Sequence, residues 1–128
     1  MFAIFKPRFL HTFLKSSDIQ PFKKCKFQAH AYQITEAQDV SLCVQDVLAV
    51  KKIRKASHPH IFAYRLRCGT SGFDDNGEKG AGRRLLTLLE NRHLEDIFVA
   101  VSRFYGGSHL GGARFRAITN CAKTVLEK

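Results

Sequence analysis

The spacing of apolar and polar residues predicts three strand-and-helix units along the chain. Residues 26–34, KFQAHAYQI, alternate in polarity and place Phe27, Ala29 and Ala31 on one side, as in a strand with one buried face. The run 35–38, TEAQ, has the capping-box spacing, so we expect a helix to begin at Thr35. Its apolar positions recur at helical intervals, and cations that suit the end of a helix dipole follow them. The apolar positions are Val40, Cys43, Val44, Val47 and Leu48, and the cations are Lys51, Lys52, Arg54 and Lys55.

The second and third units follow in the same order. Residues 58–68, HPHIFAYRLRC, are rich in aromatic and branched side chains and predict a strand after Pro59. Residues 69–82, GTSGFDDNGEKGAG, contain five glycines and no periodicity, so we expect a long loop there. A helix with a leucine face is expected over residues 83–92, and the apolar run 97–101 predicts a central strand with both faces at least partly covered. The last helix is marked by Phe115, Ile118, Ala122 and Val125.

Length and composition predict one domain preceded by a leader. The chain has 128 residues, and we assign residues 1–22 to the leader and residues 23–128 to the domain. The first 17 residues are basic and rich in Phe, which overlaps weakly with a mitochondrial presequence; the alternatives are a flexible segment or a strand. All apolar runs are far shorter than the roughly 18 residues that span a bilayer. We expect a cytoplasmic monomer, with a mitochondrial location as the alternative.

The charge balance makes polyanions such as RNA plausible partners. The formal net charge is +10, from 21 Lys and Arg against 11 Asp and Glu. The basic residues form groups near residues 23–26, 51–55 and 83–84, with further arginines at 103, 114 and 116. If the fold gathers these groups on one face, they form a binding footprint; if it scatters them, they only keep the protein in solution.

The cysteines and the glycine-rich loop exclude two familiar kinds of site. Cys25, Cys43, Cys68 and Cys121 show no metal-binding spacing, so we interpret them as reduced thiols, with Cys43 and Cys121 buried in helices. The spacing of Gly77 and Gly82 reproduces the glycine frame of a P-loop. However, arginines occupy the next two positions, where a P-loop needs Lys followed by Ser or Thr, so this motif is incomplete.

Two longer stretches, taken together, resemble a known family. GEKGAGRRLLTLLE at residues 77–90, followed by VAVSRFYGGSHLGGARFRAITNCAK at residues 99–123, resembles the signature of the Impact/YigZ family, in particular its eukaryotic Impact branch. HPHIFAYRL at residues 58–66 and KFQAHAY at residues 26–32 look like earlier blocks of the same domain. The resemblance implies an α+β fold, a two-layer sandwich in which helices pack on one face of a β-sheet. Such a fold is similar to the second domain of a small-subunit ribosomal protein.

The resemblance also implies a noncatalytic role in translation control. Impact proteins restrain the kinase that responds to amino-acid starvation by competing for its ribosome-associated activator. Animal and fungal members make the activator contact through an N-terminal RWD domain, for which the 22 residues before Lys23 are too few. Bacterial relatives carry a C-terminal ferredoxin-like domain that we do not find before the chain ends at Lys128. Activity in the full kinase pathway is therefore an open question for this chain.

The expected binding surface combines the glycine-rich loop with the loop after the third strand. Glycines let a backbone or a phosphate approach closely, arginines bind anions with two hydrogen bonds, and Phe104 or Tyr105 can stack on a base. Partners would be proteins of the translation-control pathway, and a ribosome or RNA is a further alternative. The residues expected to bind are Asp75, Glu78, Gly80, Gly82, Arg83, Arg103, Tyr105, Gly106, Gly107, Gly111 and Arg114.

An enzyme or a phosphate-binding protein is the alternative interpretation. The turn from Asp74 to Glu78 supplies carboxylates, and residues 80–84 begin a helix whose free N-terminus could receive an anion. His58, His60 and His109 are candidate proton shuttles. No nucleophile-and-base pair or metal-binding motif accompanies them, so we predict no catalytic residue, no metal site and no cofactor.

Overall fold

The structure is a computed structural model that describes residues 11–107 and 109–126. In this part of the chain, six antiparallel strands and four helices follow one another. Their bounds are β1 (His11–Ser16), β2 (Gln20–Phe22), β3 (Cys25–Ile34), α1 (Asp39–Ala49), α2 (Lys51–Arg54), β4 (His58–Arg65), β5 (Ser71–Asp74), α3 (Ala81–Asn91), β6 (Ile97–Phe104) and α4 (Ala113–Leu126). The strand order is β1-β3-β6-β4-β5, and β2 also pairs with β3.

Each face of the sheet is covered by a different pair of helices. Val99 and Val101 of β6 pack in the same core cluster as the leucines of α3 and the apolar residues of α4. Phe98 and Ala100, which point to the other face, pack with Cys43 of α1 and a residue of α2. Both faces of β6 are therefore covered, as its continuous apolar run predicts.

The predicted fold class is confirmed. An antiparallel sheet with helices packed alongside it is an α+β arrangement, and α3 and α4 form the helical layer that was expected on one face. The prediction placed helices on one face only. In the structure, α1 and the short α2 also cover part of the opposite face.

Several predicted boundaries need correction. Residues 11–22, which we assigned to the leader, contain β1 and β2, in line with the strand alternative for that segment, and residues 1–10 lie outside the described part of the chain. The predicted loop 69–82 contains β5, which pairs with β4. The predicted helix from Thr35 begins instead at Asp39 and breaks at Val50, whose backbone is extended.

The start of α1 shows why the capping-box prediction is wrong. The buried carboxylate of Asp39 accepts hydrogen bonds from the backbone amides of Thr35 and Glu36, at 3.1 and 3.0 Å. It also accepts one from the Thr35 hydroxyl at 3.4 Å. These bonds accompany a turn over residues 35–38 ahead of the helix, because the Asp39 carboxylate accepts from the Thr35 amide that the Gln38 side chain would bind in a capping box.

A chain of hydrogen bonds through buried His30 crosses four strands. The Ser102 hydroxyl donates to the carbonyl of Pro59 across 2.7 Å, so its oxygen accepts from His30 Nε2 at 3.2 Å. His30 Nδ1 in turn accepts from the Ser16 hydroxyl at 2.9 Å. The chain thus joins β1, β3, β6 and β4 around a neutral imidazole, and burial lowers the pKa of His30 to about 4.

We expect His30 to make the stability of the protein depend on pH. Between pH 6.5 and about 4 the unfolded chain binds a proton at this residue and the folded chain does not. The free energy of unfolding is therefore highest above pH 6.5 and falls by about 3 kcal/mol as the pH drops through this window. Urea unfolding of wild type and His30→Gln at several pH values measures the difference, and the variant should show a flatter pH profile. The exposed His93→Asn is the control, and equal slopes for wild type and His30→Gln would contradict the assignment.

Candidate functional site

The acidic turn that precedes α3 caps that helix from within the chain. Asp75 Oδ1 accepts from the amide of Gly82 at 2.8 Å, and Asp75 Oδ2 accepts from the amide of Gly80 at 3.0 Å. The amide of Ala81 donates to the carbonyl of Glu78. These groups would otherwise be the unsatisfied donors of the first helical turn. The helix N-terminus predicted to be free is therefore occupied by a side chain of the same loop.

Gly82 and Gly106 each allow two segments of the chain to pack closely together. A Cβ at Gly82 would lie 2.8 Å from the Phe73 ring and 2.9 Å from the backbone of Asp74, so α3 could not approach β5 with any larger residue. A Cβ at Gly106 would lie 1.6 Å from the carbonyl oxygen of Lys24. Backbone approach of this kind is a common reason for glycine, and here it seats the loop after β6 against the turn between β2 and β3.

The buried carboxylate of Glu78 joins the two loops through two arginines. Arg103 Nη1, at the end of β6, donates to Glu78 Oε2, and Arg114 Nε, in the first turn of α4, donates to Glu78 Oε1 across 2.9 Å. Glu78 and Arg103 are only 4% and 5% exposed. Burial alone would raise the pKa of Glu78, but the hydrogen bonds from both arginines outweigh it and hold that pKa below its usual value.

A cavity of about 400 Å³ opens beside this cluster. His58 is held on one wall because its Nδ1 donates to the carbonyl of Asn76 across 2.9 Å, and its Nε2 lies 4.0 Å from Glu78 Oε2. At the other side, the rings of Tyr105 and His109 lie 5.9 Å apart. The cavity is lined by His58, Glu78, Arg103, Tyr105, His109, Leu110, Gly111 and Arg114. Two guanidinium groups and one carboxylate therefore face the same space.

Five of the eleven predicted binding residues line this cavity: Glu78, Arg103, Tyr105, Gly111 and Arg114. Asp75, Gly80 and Gly82 lie in the turn that positions Glu78, while Gly106 and Gly107 follow the cavity-lining Tyr105 in the chain. Arg83 lies elsewhere, in a groove between α3 and α4.

Three residues of the site were not among the predicted binding residues. His58 and His109 were considered only as proton shuttles, yet both line the cavity. Cys25 was treated as an ordinary thiol, yet its Sγ accepts from Arg103 Nη2 at 3.6 Å. The position of His58 beside Pro59 in a block shared with the family was the only available signal, and Cys25 had none because its partner is 78 residues away.

Neither a metal-binding group nor a membrane-spanning helix is found in the described part of the chain. Among residues 11–107 and 109–126, no group of three or more His, Cys, Asp and Glu side chains is arranged to hold a metal ion. In the same residues, no helix combines the length and the apolar character that a membrane crossing requires.

Comparison with known proteins places the chain in a family. The sequence profile of the Impact N-terminal domain matches residues 23–126, which is most of the chain. The chain belongs to the Impact/YigZ family. Curated relatives agree: Protein IMPACT of Bos taurus and Protein IMPACT of Homo sapiens are each 38% identical to it over 109 residues. These matches cover 81% of this chain and 34% of each relative, so the Impact domain described here spans about a third of their length.

Solved structures support the fold of the Impact domain. A crystal structure of a hypothetical protein matches 91% of this chain and 59% of its own, with a TM-score of 0.78 and 24% identity. At that identity it supports the fold alone. The structure of Yih1, described as a two-domain translational regulator, matches 89% of this chain and 45% of its own, with a TM-score of 0.56 and 30% identity.

We expect Glu78→Gln to destabilise this Impact domain by about 3 kcal/mol at pH 7, because the buried Arg103 and the partly buried Arg114 lose their shared countercharge. The folded-state pKa of Glu78 is lowered, so its stabilisation is complete above the unfolded pKa of about 4.5 and is lost as the pH falls through the folded pKa. The difference between wild type and variant, measured by urea unfolding, should shrink in acid. Exposed Glu90→Gln is the matched control, and a pH-independent difference would count against the assignment.

Proposed function

We propose that this chain is a noncatalytic regulator of translation that acts by binding other macromolecules. The observation that carries the proposal is its 30% identity to the translational regulator Yih1 over 89% of this chain. Membership of the Impact family and the similarity to Protein IMPACT support it further. The proposed location is cytoplasmic and the proposed state is a monomer.

The chemistry of the candidate site favours binding over catalysis. An acid or a base must have a carboxylate or imidazole available to the substrate. Asp75 instead accepts two amide hydrogen bonds at the start of α3, and Glu78 is shared by two arginines. Asp75 and Glu78 therefore hold the site together, and the third carboxylate of the enzyme alternative, Asp74, accepts a hydrogen bond from the amide of Asn76 at 2.7 Å.

The finer proposal concerns the pathway. By resemblance to Impact proteins, the chain would restrain the starvation-sensing kinase by competing for its ribosome-associated activator. The proposed contact surface is the rim of the cavity and the described residues of the loop after β6, 105–107 and 109–112, where Tyr105 is 47% exposed. An exposed aromatic ring of this kind is a frequent anchor in protein interfaces.

A pull-down from starved and fed cells tests this function. The tagged chain should recover the activator of the kinase or the ribosome, and Tyr105→Ala should reduce that recovery to a fraction of the wild-type amount. Phe73→Ala is the matched control, because Phe73 is a similarly exposed ring at 43% on the edge strand β5. If neither activator, kinase nor ribosome is recovered, the pathway proposal is wrong.

A specific groove favours RNA as a second candidate partner. The groove between α3 and α4 is lined by Arg83, Arg84, Thr87, Leu88, Asn91, Thr119 and Lys123, which include three cations and no carboxylate. The Arg84 guanidinium lies 4.6 Å from the centre of the Phe115 ring, which holds it at the groove. Cations and hydroxyl or amide donors on adjacent helices suit a phosphate backbone.

RNA binding through this groove should depend steeply on salt. We expect the double substitution Arg83→Ala and Lys123→Ala to weaken binding to every RNA sequence alike and to reduce the salt slope by about 2. Fluorescence anisotropy at several salt concentrations measures both quantities. Lys51→Ala with Lys55→Ala removes the same charge from α2 and the segment after it, so an equal effect there would show only nonspecific attraction and would exclude the groove.

A further inference from the structure

We propose that the cavity beside Arg103 and Arg114 binds a terminal phosphate group. This inference goes beyond the proposed function, because recognition of a translation partner does not require a small ligand. The shared chemistry is a phosphate group with one ester bond or none, carried by a nucleotide or present as the free anion.

The first argument is the charge that the fold encloses. Arg103 and Arg114 are both hydrogen-bonded to the carboxylate of Glu78, so two positive charges share one negative charge. Arg103 and Glu78 are almost completely buried, and the Arg114 side chain is 26% exposed. A guanidinium group taken out of water needs a countercharge, and here two guanidinium groups have only one carboxylate between them. An anion in the adjacent cavity would balance the cluster.

The second argument is a donor without an acceptor. Arg103 Nη1 donates to Glu78 and Nη2 donates to the sulfur of Cys25. The buried Nε of Arg103 finds no acceptor within residues 11–107 and 109–126. Buried N–H groups are nearly always satisfied, so the Nε of Arg103 needs an acceptor that these residues do not supply. Arg103 lines the cavity, so a phosphate oxygen bound there is a candidate for that acceptor.

The third argument distinguishes a terminal phosphate from the internal phosphate of a nucleic acid. The volume of about 400 Å³ is in the range of small-ligand sites, and the arginines lie at its buried side. The two guanidinium groups exceed the single Glu78 carboxylate in charge, which suits an anion whose oxygens can reach both of them. Tyr105 and His109 present their rings at the exposed side, where a base attached to the phosphate can stack.

The experiment observes the arginines directly. In protein with ¹⁵N-labelled arginine, the Nε–H resonances of Arg103 and Arg114 are followed by NMR during titration with inorganic phosphate, then with AMP and with adenosine, at constant ionic strength set with chloride. We expect phosphate and AMP to shift both resonances and adenosine to leave them unchanged. Tighter binding of AMP than of phosphate identifies a nucleotide as the ligand, and equal binding identifies the phosphate group alone; both results support the proposal.

Two variants and one control keep the test decisive. Arg114→Gln should weaken phosphate binding about tenfold, the effect of losing one charge-assisted hydrogen bond. His109→Gln, at an exposed position that the fold does not depend on, should weaken it about threefold. Arg116→Gln removes the same charge from an exposed position of α4 and should change nothing. No shift with phosphate, equal shifts with chloride, or equal weakening in Arg114→Gln and Arg116→Gln would each overturn the proposal.

These readouts are independent of the pull-down. Phosphate binding without recovery of the translation machinery would uphold the cavity and reject the proposed function. Recovery of the translation machinery without any phosphate-dependent NMR shift would uphold the proposed function and reject phosphate binding in the cavity.

Discussion

The shared ion pair of Glu78 is the interaction on which the rest of the site depends. It connects the turn before α3 to residues that lie 25 and 36 positions later, at the end of β6 and the start of α4. A lone carboxylate in this position would be too costly to bury, and so would Arg103 without Glu78. The three groups are stable only together, so the glycine-rich loop, the central strand and the last helix have one relative arrangement. The cavity is a product of that arrangement.

The parts of the fold with a strong apolar period could be predicted from the sequence. The alternation in β3, the leucine face of α3 and the apolar run of β6 all correspond to elements of the structure. Strands β1 and β2 were not assigned from the pattern. Five of the six residues of β1 are exposed, and β2 has three residues with Pro21 at its centre, so neither has a buried face to leave a periodic signal. Their place in the sheet comes from pairing with β3.

The residues of the candidate site could be predicted from the sequence, but the contacts among them could not. Family resemblance brought together Glu78, Arg103, Tyr105 and Arg114, which the fold does place at one cavity. It did not indicate that Asp75 would satisfy the helix amides, because a long-range or loop hydrogen bond leaves no local pattern. Gly82 and Gly106 show the same limit: a glycine that admits a ligand and a glycine that admits a neighbouring backbone are identical in sequence.

The turn from Asp75 to Gly82 also restricts how related chains can diverge. Asp75 must reach the amides of Gly80 and Gly82 while Glu78, three residues later, points to the arginines. One inserted or deleted residue would rotate one carboxylate away from its partners, whereas many side chains are compatible with exposed Lys79. Evolution in this segment is therefore constrained in length more than in composition, and insertions should accumulate instead at exposed turns such as residues 67–70.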